Sequence, residues 1–349
     1  MRTLKFGHRT IGDGQPCFVI AEVGINHNGQ EDLAHRMVDA IADAGADCVK
    51  FQTFSAEEFM NGPDQQMEYV SQGQVVRESM LAMFKRYELQ SESFSRLFEH
   101  ARARGLVPLS TPTDTNAVDL LDRIGIGGFK IGSDDLVYTP FLEYVARKGK
   151  PIILSTGMAD AADIERAVST ITKSGNDRIV ILHCVSVYPT PDEDVNLLRV
   201  RTLRDQYPGP IGYSDHSAGI VAALGAVSLG ASVIEKHFTI DKDLPGPDHH
   251  FSADPSELRA MVQGLRALEA QMGSPRLRPA RGEAEMAAIA RRSIVANRDL
   301  PKGHVVAPED LSYRRPGTGL MPYERDRLIG RRTRQAVGAD TQFTLAMVE

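Results

Sequence analysis

Eight apolar runs of strand length recur along the first two-thirds of the chain: Phe18–Asn26, Asp47–Phe54, Leu106–Pro112, Gly128–Ser133, Pro151–Gly157, Ile179–Ser186, Ile211–Ser217 and Val233–Thr239. Amphipathic stretches separate them, among them Asp32–Ala44 (Leu33, Val38 and Ile41 on one face), Ser91–Arg104, Ala161–Lys173 and Ala218–Leu229, with Pro255–Met272 as the eighth helix. Gly45, Gly105, Gly175 and Gly230 follow several of them, as glycines follow helix ends. A strand-then-helix beat repeated eight times in about 250 residues predicts an α/β fold, a closed (β/α)8 TIM barrel, rather than an open doubly wound sheet. Ser55–Gln90 is too long for a simple connection and reads as a loop with helix over the barrel mouth, broken at Gly62 and Pro63.

The pattern changes after residue 272. Ser274, Pro275, Pro279 and Gly282 with Arg276, Arg278 and Arg281 are the mixture of an exposed linker. The expected division is a barrel over 1–272, a linker over 273–290 and a small β-rich module over 291–349. With 40 basic against 46 acidic residues, the net charge of -6 argues against nucleic acid as the main partner. No run approaches the ~20 apolar residues that span a bilayer, so a cytoplasmic protein without a membrane partner is expected. Cys17, Cys48 and Cys184 form no CxxC pair and sit in or beside apolar runs, where buried inert thiols are expected.

In a barrel of this kind chemistry sits at the C-terminal strand ends. Those ends hold Glu22 and Asn26, Lys50 and Gln52, Ser110 and Thr111, Lys130 and Ser133, Ser155 and Thr156, His183 and Ser186, Ser214 to His216, and Glu235 to His237. Strand alternation points only about half of them inward. Lysine seldom enters a barrel unless an anion meets it. Lys50, Lys130 and Lys236, interleaved with hydroxyls, therefore suit a phosphate and carboxylate cradle; a Schiff-base nucleophile or structural pairs with Glu22 or Glu235 are the other readings. His216 and His237 end neighbouring strands, which fits a divalent metal, hydrogen-bonded core histidines or acid/base roles. Glu22 fits a general base, a third ligand or a salt bridge to a barrel lysine. No P-loop, GxGxxG, HExxH or GxSxG motif is present.

The motifs "IAEVGINHNGQ", "AGADCVKFQTF", "STP", "KIGS", "GKPIILSTGM", "LHCVSVYPTP", "GYSDHS", "EKHFT" and "PGPDHHFS" together resemble the sialic acid (N-acetylneuraminate) synthase family. The tail, "RRSIVANRDLPKG" with "EDLSYRRPGTG", is similar to the antifreeze-like (SAF, β-clip) module of these enzymes. The resemblance implies condensation of phosphoenolpyruvate with an open-chain N-acetylated hexosamine to a nonulosonic acid and phosphate. By matching motif, Lys50, Thr111, Lys130, Ser133, Ser155 and Ser214 would hold phosphoenolpyruvate, and His216 and His237 a divalent metal, typically Mn²⁺. Glu22 would handle the water or hydroxyl proton, with Ser186, Tyr188 and Asp248 near the sugar or the mouth. Asn26 fits the mouth or a structural turn equally. Arg315 would reach the partner's sugar site in a domain-swapped homodimer. The chain departs from the familiar "GSGE" with Gly132, Ser133, Asp134 and Asp135, and from an Asn with Ser186. N-acetylmannosamine, giving N-acetylneuraminate, is the first acceptor expected. A 2,4-diacetamido-trideoxymannose, giving legionaminate, is the alternative, and a catalytically inactive sugar-binding barrel is a third reading.

Overall fold

The computed structural model describes residues 2–60 and 65–349, and the Gly62–Pro63 break lies outside them. Residues 1–273 and 274–349 form two separate compact units.

The first unit is the barrel. Its strands are β1 (Phe18–Gly24), β2 (Cys48–Thr53), β3 (Val107–Pro112), β4 (Phe129–Ile131), β5 (Ile152–Ser155), β6 (Ile179–Cys184), β7 (Ile211–Asp215) and β8 (Val233–His237). They pair in parallel in the order β3-β2-β1-β8-β7-β6-β5-β4, and β3 and β4 lie side by side to bring the ends of the sheet together. Each strand is buried on both faces, so its sequence reads as one apolar run rather than an alternation. The turn polarity, not the strand interior, therefore marks where each run ends.

The helices that follow the strands are α1 (Glu31–Ala44), α2 (Ser91–Ala103), α3 (Thr115–Arg123), α4 (Thr139–Arg147), α5 (Ala161–Lys173), α6 (Leu198–Gln206), α7 (Val221–Ser228) and α8 (Pro255–Met272). α1 buries Leu33, Ala34, Met37, Val38 and Ile41 and stops at Gly45, whose φ of 86° returns its N–H to Ala42 and Ile41. Reciprocal side-chain caps start α5 at Asp160/Asp163 and α8 at Asp254/Glu257.

Two hairpins were not anticipated. Thr3–Phe6 pairs with Arg9–Gly12 and drives Phe6 against the strand starts: its ring lies 5.9 Å from that of Phe18, and a side chain on Gly128 would collide with it. The hairpin thus seals the barrel's lower end. Gln66–Ser71 pairs with Gln74–Ser79 through Gln72-Gly73, both at positive φ, the two-residue turn whose twist suits a hairpin. The helix Met80–Tyr87 follows, so the long β2–α2 connection is hairpin as well as helix.

In the second unit, the expected linker contains a helix, Glu283–Ala290. The run EAEMAAIA is made of strong helix formers, which outweigh the preceding Pro and Gly signals. Strands Ser293–Ala296 and Leu311–Arg314 pair antiparallel around Ile294, Leu300, Val306, Leu328, Val337 and Phe343. Asp310, with no exposed surface, accepts from Arg298, His304 and the Ala307 N–H. Burial alone would raise its pKa, but these donors win and hold it at about 2, below the ordinary 3.8. A lowered carboxyl stabilises the fold above its unfolded pKa and loses that contribution as pH falls through the folded value. Denaturant unfolding of the second unit should therefore weaken by at most about 2 kcal/mol between pH 5 and pH 2 through this group. Asp310→Asn should be weaker at pH 5 and should lack that part of the acid dependence; equal acid slopes in the two proteins would refute the assignment.

Candidate active site

Alternation along each strand sorts the polar ends into two sets. Glu22, Lys50, Thr111, Lys130, Ser133, Ser155, Ser186, Tyr188, Ser214, His216 and His237 all line one cavity of about 460 Å³ at the barrel's C-terminal end, together with Glu235 and Gln52. Ser214/His216 and Glu235/His237 are i, i+2 pairs, which share a face. Lys236, the third barrel lysine, falls between them and turns away: it pairs with Asp215 at 2.8 Å outside the cavity lining. His183 also leaves the site, bonded to the Val195 carbonyl and stacked on Tyr213.

The cavity floor is a buried network of charge. Lys50 Nζ lies 2.7 Å from Glu22 and 3.6 Å from Glu235, and donates to Thr111 Oγ1 at 3.1 Å. Lys130 Nζ lies 3.4 Å from Glu235, which also accepts from the Ser214 hydroxyl at 2.8 Å. β1–β2 register brings Glu22 beside Lys50, and β7–β8 register brings Ser214 beside Glu235. Pairing breaks register between Glu22 and Gly24, whose φ of 54° bends the strand end; a side chain there would press on the Glu22 carboxylate.

Burial pushes Glu22 up to about 7, aided by Glu235 and opposed by Lys50. Burial acts the same way on Glu235, but Lys130 and Lys50 overcome it and hold that carboxyl far below the usual range. Two carboxyls in one pocket are thus driven in opposite directions, Glu22 up and Glu235 down. Among the described residues Ser155 Oγ is buried without a partner, and the Gly157 N–H donates to Ser133 Oγ at 2.9 Å. A side chain on Gly157 would collide with the hydroxyls of Ser133 and Ser186, so glycine keeps that wall open.

One wall carries the two histidines, with ring centres 5.4 Å apart and Tyr188 packed against both. The Val185 carbonyl engages His216 Nδ1 at 2.8 Å, which frees Nε2 for another partner. Burial and the neighbouring His216 hold His237 well below the ordinary histidine range, and its buried Nδ1 has no hydrogen-bond partner, Asp248 being 3.9 Å away. Among the described residues no three His, Cys, Asp or Glu side chains form a ready-made metal cage. The donor set nonetheless fits a divalent cation with open positions, because a neutral, unpartnered imidazole beside an oriented one is what such an ion requires.

Asp248 lies in an adjoining hollow that shares Tyr188 and His237 with the cavity; burial lifts its carboxyl to about 6. Asn26 is buried and donates through Nδ2 to the Phe238 carbonyl and Ser252 Oγ. Arg315 is exposed in the second unit.

Several lining residues went unread. Phe54, Phe59, Met67, Met80, Phe84 and Met158 make an apolar upper wall, most of it supplied by the β2–α2 connection. Its alternating Met67, Tyr69 and the Gln72-Gly73 turn were the available signal. All three cysteines are free and buried as expected; burial raises the thiols of Cys17 and Cys48, and Cys184 differs in its surroundings. It lines the cavity, and although burial opposes ionisation, the His216 and Ser133 contacts lower its pKa.

A barrel whose upper end gathers buried lysines, hydroxyls, a carboxyl raised by burial and a histidine pair belongs to the class of anion-binding α/β-barrel enzymes. Comparison narrows the class. Residues 37–276 match the NeuB family model and residues 291–349 the SAF domain model. An uncharacterised protein of Methanocaldococcus jannaschii is 43% identical over 92% of this chain and 91% of its own. The N,N'-diacetyllegionaminic acid synthase of Legionella pneumophila is 40% identical over 98% of both chains. The crystal structure of N-acetylneuraminic acid synthetase from Leptospira borgpetersenii, in complex with citrate, superposes with a TM-score of 0.74 at 37% identity, covering 82% of this chain and 95% of that one. The chain belongs to the NeuB family and is a phosphoenolpyruvate-condensing nonulosonic acid synthase with a C-terminal SAF domain. Among the described residues no helix is long and apolar enough to cross a membrane.

Lys50→Met would leave Glu22 and Glu235 buried without their shared counter-ion. The expected cost is about 3–5 kcal/mol in denaturant unfolding of the barrel. A loss under about 1 kcal/mol would show that water already reaches these carboxylates.

Proposed function

We propose that this enzyme condenses phosphoenolpyruvate with the open-chain form of 2,4-diacetamido-2,4,6-trideoxymannose, giving a legionaminate-type nonulosonic acid and phosphate. The observation that carries the reaction is the floor: two buried lysines among Thr111, Ser133, Ser155 and Ser214 suit the phosphate and carboxylate of phosphoenolpyruvate. The apolar upper wall of Phe54, Phe59, Met67, Phe84 and Met158 suits a sugar carrying two acetamido methyls and a 6-methyl group. The 40% identity over 98% of a legionaminic acid synthase supports the same acceptor. N-acetylmannosamine, the acceptor first expected, is the second reading. Asp134 in the cavity wall favours it, since a carboxylate receives sugar hydroxyls well.

In the reaction C3 of phosphoenolpyruvate attacks the aldehyde carbon while water adds to C2; the tetrahedral carbon then releases phosphate by C–O cleavage. Lys50 and Lys130 neutralise the arriving anion and orient the enol phosphate. Glu22, able to hold or release a proton near neutral pH, handles the proton of the attacking water or of the new hydroxyl. Ser186, Tyr188 and Asp248 flank the sugar. His216 and His237 would hold a divalent metal, Mn²⁺ by family, which supplies Lewis-acid polarisation of the aldehyde when bound. Arg315 would complete a partner's sugar site in a domain-swapped homodimer.

Phosphate release from phosphoenolpyruvate with Mn²⁺ should be fastest with the diacetamido sugar and abolished by chelator or by His237→Ala. Faster turnover with N-acetylmannosamine would transfer the assignment to the second reading. No release with either sugar, from folded metal-loaded protein, would favour the inactive barrel. Arg315→Ala should raise the sugar KM about tenfold and leave that of phosphoenolpyruvate nearly unchanged, as losing one charged substrate contact does. A monomeric mass in solution would remove the domain-swap assignment.

A further inference from the structure

The strands that carry the two histidines hold a second polar set on their other face. Asp215 and Lys236 are register partners on β7 and β8, each one residue before a histidine. Lys236 Nζ meets Asp215 Oδ2 at 2.8 Å and donates to the Ser217 carbonyl at 2.8 Å. Asp215 Oδ1 accepts from the Ser217 N–H at 2.9 Å, the Ser217 hydroxyl at 2.6 Å and the Tyr213 hydroxyl at 3.2 Å. Asp215, Ser217 and Lys236 are each at least 97% buried.

The backbone on both sides of His216 is therefore tied, through one carboxylate and one ammonium, to the residue that precedes His237. Pairing of the strands does not require this, since the parallel ladder already joins Gly212 through Asp215 to Val233 through Lys236. A buried ion pair is also a weak source of stability, apolar replacements of similar size being often neutral or better. What the network supplies is geometry: it ties residues 216–217, just beyond the end of β7 and bridged on their other side to Thr190, to the neighbouring strand β8.

We infer that the Lys236–Asp215–Ser217 clamp is a positioning device that sets the spacing of the His216 and His237 imidazoles and so the affinity of that pair for a divalent cation. The inference rests on the metal reading of the histidines given above. None of the three clamp residues lines the cavity. They act through the backbone of their neighbours, as outer partners of metal ligands do.

The test is a Mn²⁺ titration of the full chain without substrates, reading free Mn²⁺ by electron paramagnetic resonance. Wild type is compared with the D215L/K236M double variant, in which apolar side chains replace the pair. The double variant should keep a cooperative unfolding transition yet bind Mn²⁺ about 10–100-fold more weakly. Unchanged affinity in the folded double variant overturns the clamp. Should that variant fail to fold, Ser217→Ala keeps the ion pair and removes one tie; weaker Mn²⁺ binding supports the inference and unchanged binding overturns it. If wild type binds Mn²⁺ and His237→Ala binds equally well, the histidine reading itself falls, a result distinct from failure of the clamp alone. No binding by wild type removes both.

Discussion

The structure depends on four charges that have left water together: Glu22, Lys50, Glu235 and Lys130 at the barrel's upper end. Each alone would be too costly to bury, and the group is tolerated because opposite charges alternate within 4 Å. That neutrality has a chemical consequence. An incoming anion does not meet bare ammonium groups; it must compete with carboxylates already paired to them. Glu22 is the member able to yield, since burial leaves its carboxyl close to protonation near neutral pH whereas Glu235 stays ionised. On the function proposed above, uptake of a proton by Glu22 would release Lys50 to the substrate and leave a carboxylic acid in place for later proton transfer. The charged groups are already buried and paired before the substrate arrives, which is what preorganisation means in electrostatic terms.

The cavity above that floor has two chemical halves. Its lower part is hydroxyl and charge, contributed by strand ends; its upper part is aromatic and thioether, contributed mainly by the β2–α2 connection. Phe54, Phe59 and Phe84 meet edge to face at 5.1–5.4 Å across two of their contacts, a rigid patch rather than a loose cover. The hairpin is tied across the mouth by Gln72 to the Asp243 carbonyl and by the Gly246 N–H to Ser71. A substrate pair with one strongly anionic partner and one partner bearing acyl methyls fits such a division better than two equally polar partners would.

Much of this was legible in the sequence because a barrel strand announces itself twice, by its apolar run and by the polar residues where the run stops. All eight strand ends carry the side chains that the cavity gathers. What the sequence did not resolve was facing. Lys236 reads like Lys50 and Lys130 until register assigns it to the other side, since strands buried on both faces have no apolar–polar alternation to betray direction. The lower hairpin was illegible for a different reason: its four-residue strands are too short for periodicity, and Phe6 and Ile11 reveal their burial only through long-range contacts. Cys184 reads as a buried thiol because it closes the apolar run that starts at Ile179, whereas Ser133 and His216 reach it from the ends of other strands.

The two lysine–carboxylate pairs on either face of these strands show how one sheet supports two electrostatic roles. Inside, Lys50 has two carboxylate partners at 2.7 and 3.6 Å and a hydroxyl, so its environment can be rearranged by exchanging one partner for a ligand. Outside, Lys236 has a single carboxylate at 2.8 Å, and both it and that carboxylate are further bonded to Ser217. Every change there breaks several short contacts at once. The inner set is therefore adjustable and the outer set rigid, although residue type and burial are the same. Because successive residues on a strand face opposite ways, the rigid set lies one peptide from the histidines of the adjustable one. Such adjacency lets a barrel hold its reacting groups still without placing the supporting charges in the path of the substrate.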